Sequence, residues 1–199
     1  MGIKSALRKL EISASAAIIP AVVYLLDAGY LLLLTAVAVA AHELGHYAAL
    51  RLAGGEVRRV RLSLTGVAME YGGLGYGGEI AAALLGPGAS AALAVVSALG
   101  GRVFAYEPAY HLAGLSLLLG AFNLLPAFPL DGGRALYGAV ARLFGLRAAD
   151  VTRRAASAAI VAALLLGGVQ LLRVSRNPTL LLAALWLTNS CCARARDMI

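Results

Sequence analysis

With 61% hydrophobic residues among 199 and a mean hydropathy of +0.83, this chain lies far from soluble-domain composition. It reads as a single polytopic membrane domain, residues 1–199, of all-α class with about six transmembrane helices. Taken alone, the net charge of +7 suggests nucleic acid, but the basic residues flank apolar spans, which excludes that partner and leaves the lipid bilayer as their contact.

The apolar spans fall at about 12–27, 30–51, 79–100, 109–125, 154–172 and 178–192, with an amphipathic stretch at about 132–145. The first resembles a signal peptide in its basic flank. Asp27 stands where a small-x-small cleavage site would be, so an uncleaved helix is expected. Starting the N-terminus inside places fourteen Lys and Arg residues on that side and only Arg102, Arg173 and Arg176 outside. This positive-inside bias puts both termini in the cytoplasm, and Tyr30, Tyr106 and Tyr110 near the outer interface.

The second span carries His42-Glu43-Leu44-Gly45-His46, whose two histidines and glutamate are the only strongly ionisable side chains between residues 30 and 50. A carboxylate at membrane depth costs roughly 2.5–3.5 kcal/mol and needs a compensating partner. Two histidines four apart share one helix face, about 6 Å apart along its axis, which suits a common metal ion. The spacing is that of a zinc-protease helix: two imidazole ligands, with Glu43 as general base beside a metal-bound water. A polar cluster that merely bonds neighbouring helices is the alternative reading. His46 lies about five residues, roughly 8 Å of helix, from Arg51 and the cytoplasmic boundary, so the centre should be open to water from inside.

After this helix the periodicity changes from near 3.6 to near two, from Val60 onward, and residues 67–71 suggest a second strand. A short β-hairpin-like segment beside the site is expected, with a surface loop as the alternative. An unpaired edge near residues 60–65 would hold an extended peptide by strand addition. Gly73, Gly75 and Gly78 spell a formal G-x-G-x-x-G. An alanine-rich span follows rather than a βαβ unit, so a hinge replaces the dinucleotide reading. Gly86-Pro87-Gly88 marks a kink or close packing.

The fourth span ends in N-L-L-P-A-F-P-L-D-G-G at residues 123–133. Prolines and glycines at membrane depth are tolerated where backbone is buried in protein or lines a wet cavity. Asp131 by itself reads as a helix N-cap or as a metal ligand. A two-histidine site needs a third protein ligand, and Glu70 and Glu79 are expected nearer the surface, with His111 toward the opposite face; Asp131 is the best candidate. Adjacent Cys191 and Cys192 imply no disulfide; filling at a helix end is their default, and zinc binding or lipidation are the remote alternatives.

With both strings in hand, the chain resembles the site-2 proteases, the intramembrane zinc metalloproteases of peptidase family M50. The similarity runs from about residue 10 to residue 190 and is strongest to the sporulation-type branch, stage IV sporulation protein FB. The resemblance implies one zinc ion held by His42, His46 and Asp131, Glu43 activating the water, and Asn123 orienting substrate or stabilising the oxyanion. It implies a bacterial plasma-membrane protein that cleaves membrane-spanning or membrane-associated proteins near the cytoplasmic face, with regulatory membrane proteins as further partners. The branch's cytoplasmic CBS domain is not expected here, and its paired glycines appear as Thr65-Gly66.

Two readings from other classes compete with hydrolysis. A metal-binding transporter would use the same polar cluster as an ion path, but it predicts inverted repeats that the sequence does not display. An inactive, protease-derived scaffold is disfavoured by the intact Glu43. No G-x-S-G string supports a serine intramembrane protease.

Overall fold

The computed structural model describes residues 10–12, 21, 25, 30–63 and 66–196. The first expected span, 12–27, lies almost wholly outside them. The chain divides into two compact units, Met1–Ala121 and Phe122–Ile199.

In the first unit, β1 (Leu10–Ile12) is followed by α1 (Tyr30–Leu52), β2 (Glu56–Ser63), β3 (Gly66–Gly72), α2 (Tyr76–Phe104) and α3 (Glu107–Asn123), whose last two residues are counted with the second unit. Helix α1 stops where Gly54 adopts φ +77°, a conformation that favours glycine. The N–H groups of Ala53 and Gly55 then close back on the carbonyls of Ala49 and Leu50 at 2.9 and 2.8 Å, satisfying the helix end.

Strands β2 and β3 form the expected antiparallel hairpin, with Val60 opposite Met69 and an irregularity between Val57 and Arg59. Strand β1 adds a feature that a three-residue segment could not announce in sequence. It pairs in parallel with β2, Leu10 opposite Val60 and Ile12 opposite Leu62. The alternating arginines of β2 now have a physical account. Arg59 and Arg61 reach Glu11 at 3.3 and 3.2 Å on one side and Glu70 at 3.9 and 3.4 Å on the other. Each exposed pair stabilises little, but together they fix register across three strands. One expectation is corrected. Residues 60–62 are paired on both sides, by β1 and β3, so the edge predicted near residues 60–65 is filled there, and β3 is the edge strand on the other side of the described sheet.

The apolar side of the hairpin, with Val57, Met69 and Tyr71, packs on Ala49, Leu50 and Ala82, which ties the sheet to the end of α1 and the beginning of α2. The two helices approach closely through small residues. A Cβ on Gly45 would fall 2.7 Å from the Cβ of Ala89. Helix α3 meets α2 in the same way, with Gly120 against Ser90 and Gly101 against the Tyr110 ring.

The second unit comprises α4 (Asp131–Phe144), α5 (Leu146–Ser175) and α6 (Thr179–Arg196), built around buried Ala127, Leu130 and Leu187. Helix α4 matches the expected amphipathic stretch. Among the described residues, α1, α2 and α5 are long and apolar enough to cross a membrane. Helix α3 has 17 residues, about 26 Å at 1.5 Å per residue, because the broken segment from Leu124 ends it. The architecture is thus mostly helical with a short sheet, as composition and periodicity imply.

Candidate metal centre

His42 and His46 lie one helical turn apart on α1, and their Nε2 atoms face each other at 3.1 Å. The rings stand nearly perpendicular, at 80°, with centroids 4.7 Å apart. Helix α2 holds both rings from behind. The Nδ1–H of His46 donates to the Ala82 carbonyl at 2.6 Å. Because a carbonyl only accepts, this bond fixes the tautomer and leaves the Nε2 of a neutral ring as an acceptor. His42 Nδ1 meets the Ser90 hydroxyl at 2.9 Å, with both groups buried.

Two Nε2 lone pairs aimed at each other repel unless a proton or cation lies between them. Zinc–nitrogen bonds of about 2.0–2.1 Å at a tetrahedral angle would separate two imidazole nitrogens by roughly 3.3 Å. The observed 3.1 Å fits that spacing, and the backing bonds to Nδ1 are those that orient metal-binding histidines. These residues therefore suit zinc.

Gly86 makes this packing possible. A Cβ there would overlap the His46 ring at Nε2 and Cε1. Pro87, next in sequence, lacks the N–H that would bond the carbonyl four residues back, which loosens α2 beside the rings. Glu43 follows His42 on α1 and is half-buried.

Asn123 and Asp131 belong to the second unit and bracket the segment 124–130. Asn123 ends α3, half-buried. Asp131 is buried and is the first residue of α4, while Leu130 holds the cap position. The N-cap position that sequence alone allowed for Asp131 is thus its neighbour's, and no side-chain hydrogen bond caps the helix there. Arg134 lies 3.7 Å from the Asp131 carboxylate, and the first-turn N–H groups add positive potential. The segment folds tightly over the start of α4: a Cβ on Gly132 would strike the Leu124 carbonyl, and one on Gly133 would lie 2.5 Å from the Ala127 carbonyl.

The other titratable candidates serve elsewhere. His111 Nδ1 bonds the Tyr30 hydroxyl at 3.2 Å, at the far end of α1. Tyr30 precedes His42 by twelve residues, roughly 18 Å of helix. Glu70 is engaged by the β2 arginines, and Glu79 sits in the first turn of α2. Sequence reasoning missed Ser90 and the Ala82 carbonyl, and it read Gly86 as a kink or close packing without naming the His46 ring as its neighbour. The Gly-Pro-Gly string was their only signal, and it reads equally as a kink. Replacing Ser90 with Ala should weaken zinc binding about 10–100-fold with helical content unchanged, as measured by chelator competition and circular dichroism.

Comparison with known proteins adds four matches. The model of peptidase family M50 matches residues 95–167, a stretch that includes segment 124–130 but not His42 or His46. Zinc metalloprotease MJ0392 of Methanocaldococcus jannaschii is 32% identical over 120 residues, covering 58% of this chain and 35% of that protein. Rip3 of Mycobacterium tuberculosis, named for an inferred zinc metalloprotease activity, is 43% identical over 126 residues, covering 58% of this chain and 32% of Rip3. The chain thus aligns with about a third of the length of these curated relatives. The solved site-2 protease from Methanocaldococcus jannaschii superposes with a TM-score of 0.69 at 25% identity, over 89% of this chain and 86% of that one.

Proposed function

Family model, curated relatives and structural neighbour all support placing this chain in peptidase family M50, the site-2 proteases, and on that premise we propose that it is a zinc-dependent intramembrane metalloendopeptidase. The observation that carries the reading is the facing pair of Nε2 atoms, each ring backed by α2, beside a glutamate on an apolar helix. The relatives' names imply zinc, and His42, His46 and Asp131, each offering one ligand atom, form its candidate set.

When bound, zinc would acidify a water and polarise the scissile carbonyl. The chain's own groups supply the remaining steps. Glu43 takes the proton of the attacking water and returns it to the departing amine. Asn123 orients the substrate or stabilises charge on the carbonyl oxygen. The substrate helix must unwind to expose a peptide bond, and the outer edge of β3 offers backbone partners to an extended segment.

The fourteen-to-three distribution of Lys and Arg favours cytoplasmic termini and cleavage near that face. The natural substrates on this reading are membrane-spanning or membrane-associated proteins that release a cytoplasmic product, in the manner of the sporulation branch. Replacing Asp131 with Asn tests the third ligand: bound zinc should fall well below one equivalent by metal analysis. Full occupancy would remove Asp131 from the set. A flux assay in proteoliposomes separates hydrolysis from transport, since a protease cleaves reconstituted substrate without moving metal.

A further inference from the structure

Phe128 stands three residues before Asp131, and side chains from two helices grip it. Its backbone N–H donates to the Ser157 hydroxyl of α5 at 2.9 Å. Its carbonyl faces the Cys191 thiol of α6 at 2.7 Å. The Arg153 guanidinium, one turn before Ser157, lies over its ring at 5.3 Å from the centroid.

Segment 124–130 interrupts helical structure between apolar elements, so its backbone groups need partners other than a helix supplies. Ser157 and Cys191 give Phe128 one at each side of its residue. From there to Asp131 the chain has little freedom. Leu130 N–H bonds the Ala127 carbonyl at 2.9 Å, Ala127 is fully buried, and Gly132 and Gly133 press on the backbone of Leu124 and Ala127. A shift of Phe128 must therefore pass to the first turn of α4.

We propose that Ser157 and Cys191 are positioning residues, which fix the direction of the Asp131 carboxylate by clamping Phe128, so that the last two helices tune metal affinity. This rests on the reading of Asp131 as a zinc ligand. It gives Cys191 a role that filling a helix end does not, and it is a hydrogen-bonding role that serine can also perform.

The test measures zinc dissociation constants by chelator competition on the full chain in detergent, for Ser157→Ala, Cys191→Ala, Cys191→Ser and Asp131→Asn, with circular dichroism alongside. Both alanine variants should bind zinc about tenfold more weakly with unchanged helical content, and Cys191→Ser should lie within about twofold of the parent. Parent-like affinity in both alanine variants, while Asp131→Asn loses zinc, would overturn the clamp and leave the ligand assignment standing. Parent-like affinity in Asp131→Asn would instead overturn the ligand assignment itself. If Ser157→Ala does not fold, the cysteine pair decides: equal affinities for Cys191→Ala and Cys191→Ser overturn the proposal.

Discussion

Glu43→Gln should remain folded and zinc-loaded yet cleave a reconstituted membrane substrate at least about a hundredfold more slowly. The substitution preserves size and hydrogen bonding but removes the basic oxygen that accepts the water's proton. Glu43 lies on α1 between the two histidines in sequence, one position from His42, and is only half-buried, so an amide there leaves the helix and its packing intact. The relevant comparison is kcat with substrate saturating, beside zinc content of the same preparation. Loss of zinc together with activity would point to a structural role, and undiminished turnover would remove Glu43 as the base.

Gly86→Ala should have the second large effect, and through a different cause. The added methyl would occupy space already filled by the His46 imidazole. That ring cannot swing away freely, because its Nδ1–H is held by the Ala82 carbonyl, four residues earlier on the same helix as Gly86. Either the bond breaks or α1 and α2 separate where Gly45 meets Ala89. Overpacking of this kind costs typically 1–3 kcal/mol of stability, and here the distortion acts directly on the nitrogen proposed to bind zinc. Zinc affinity should drop by two orders of magnitude or more, while Gly88→Ala, where a Cβ meets nothing within 4 Å, should match the parent. Equal zinc affinity in both variants would show that the contact between Gly86 and His46 does not shape the centre.

Much of the membrane architecture was legible because hydropathy and helical period are local properties. The boundaries of α1 and α4 lie within a residue or two of the expected spans, and the change of period after Val60 foretold the hairpin. His42 and His46 were legible for the same reason: four residues on a helix place two rings together whatever else the chain does. The short strand β1 was not legible. Three residues carry no measurable period, and its place beside β2 depends on partners some fifty residues away, the Glu11 pairs with Arg59 and Arg61.

Sequence by itself determined a membrane-embedded helix bearing two imidazoles and a carboxylate, since chemistry and spacing there lie within one turn. Tertiary structure decided how those imidazoles are held. The Ala82 carbonyl is a backbone group with no letter of its own, Ser90 is one serine among many, and Gly86 matters only because another helix brings His46 against it. Phe128 shows the same division: its string is conspicuous, but its grip by Ser157 and Cys191 arises from contacts across 29 and 63 residues. Such contacts follow from packing, which a pattern along the chain does not record.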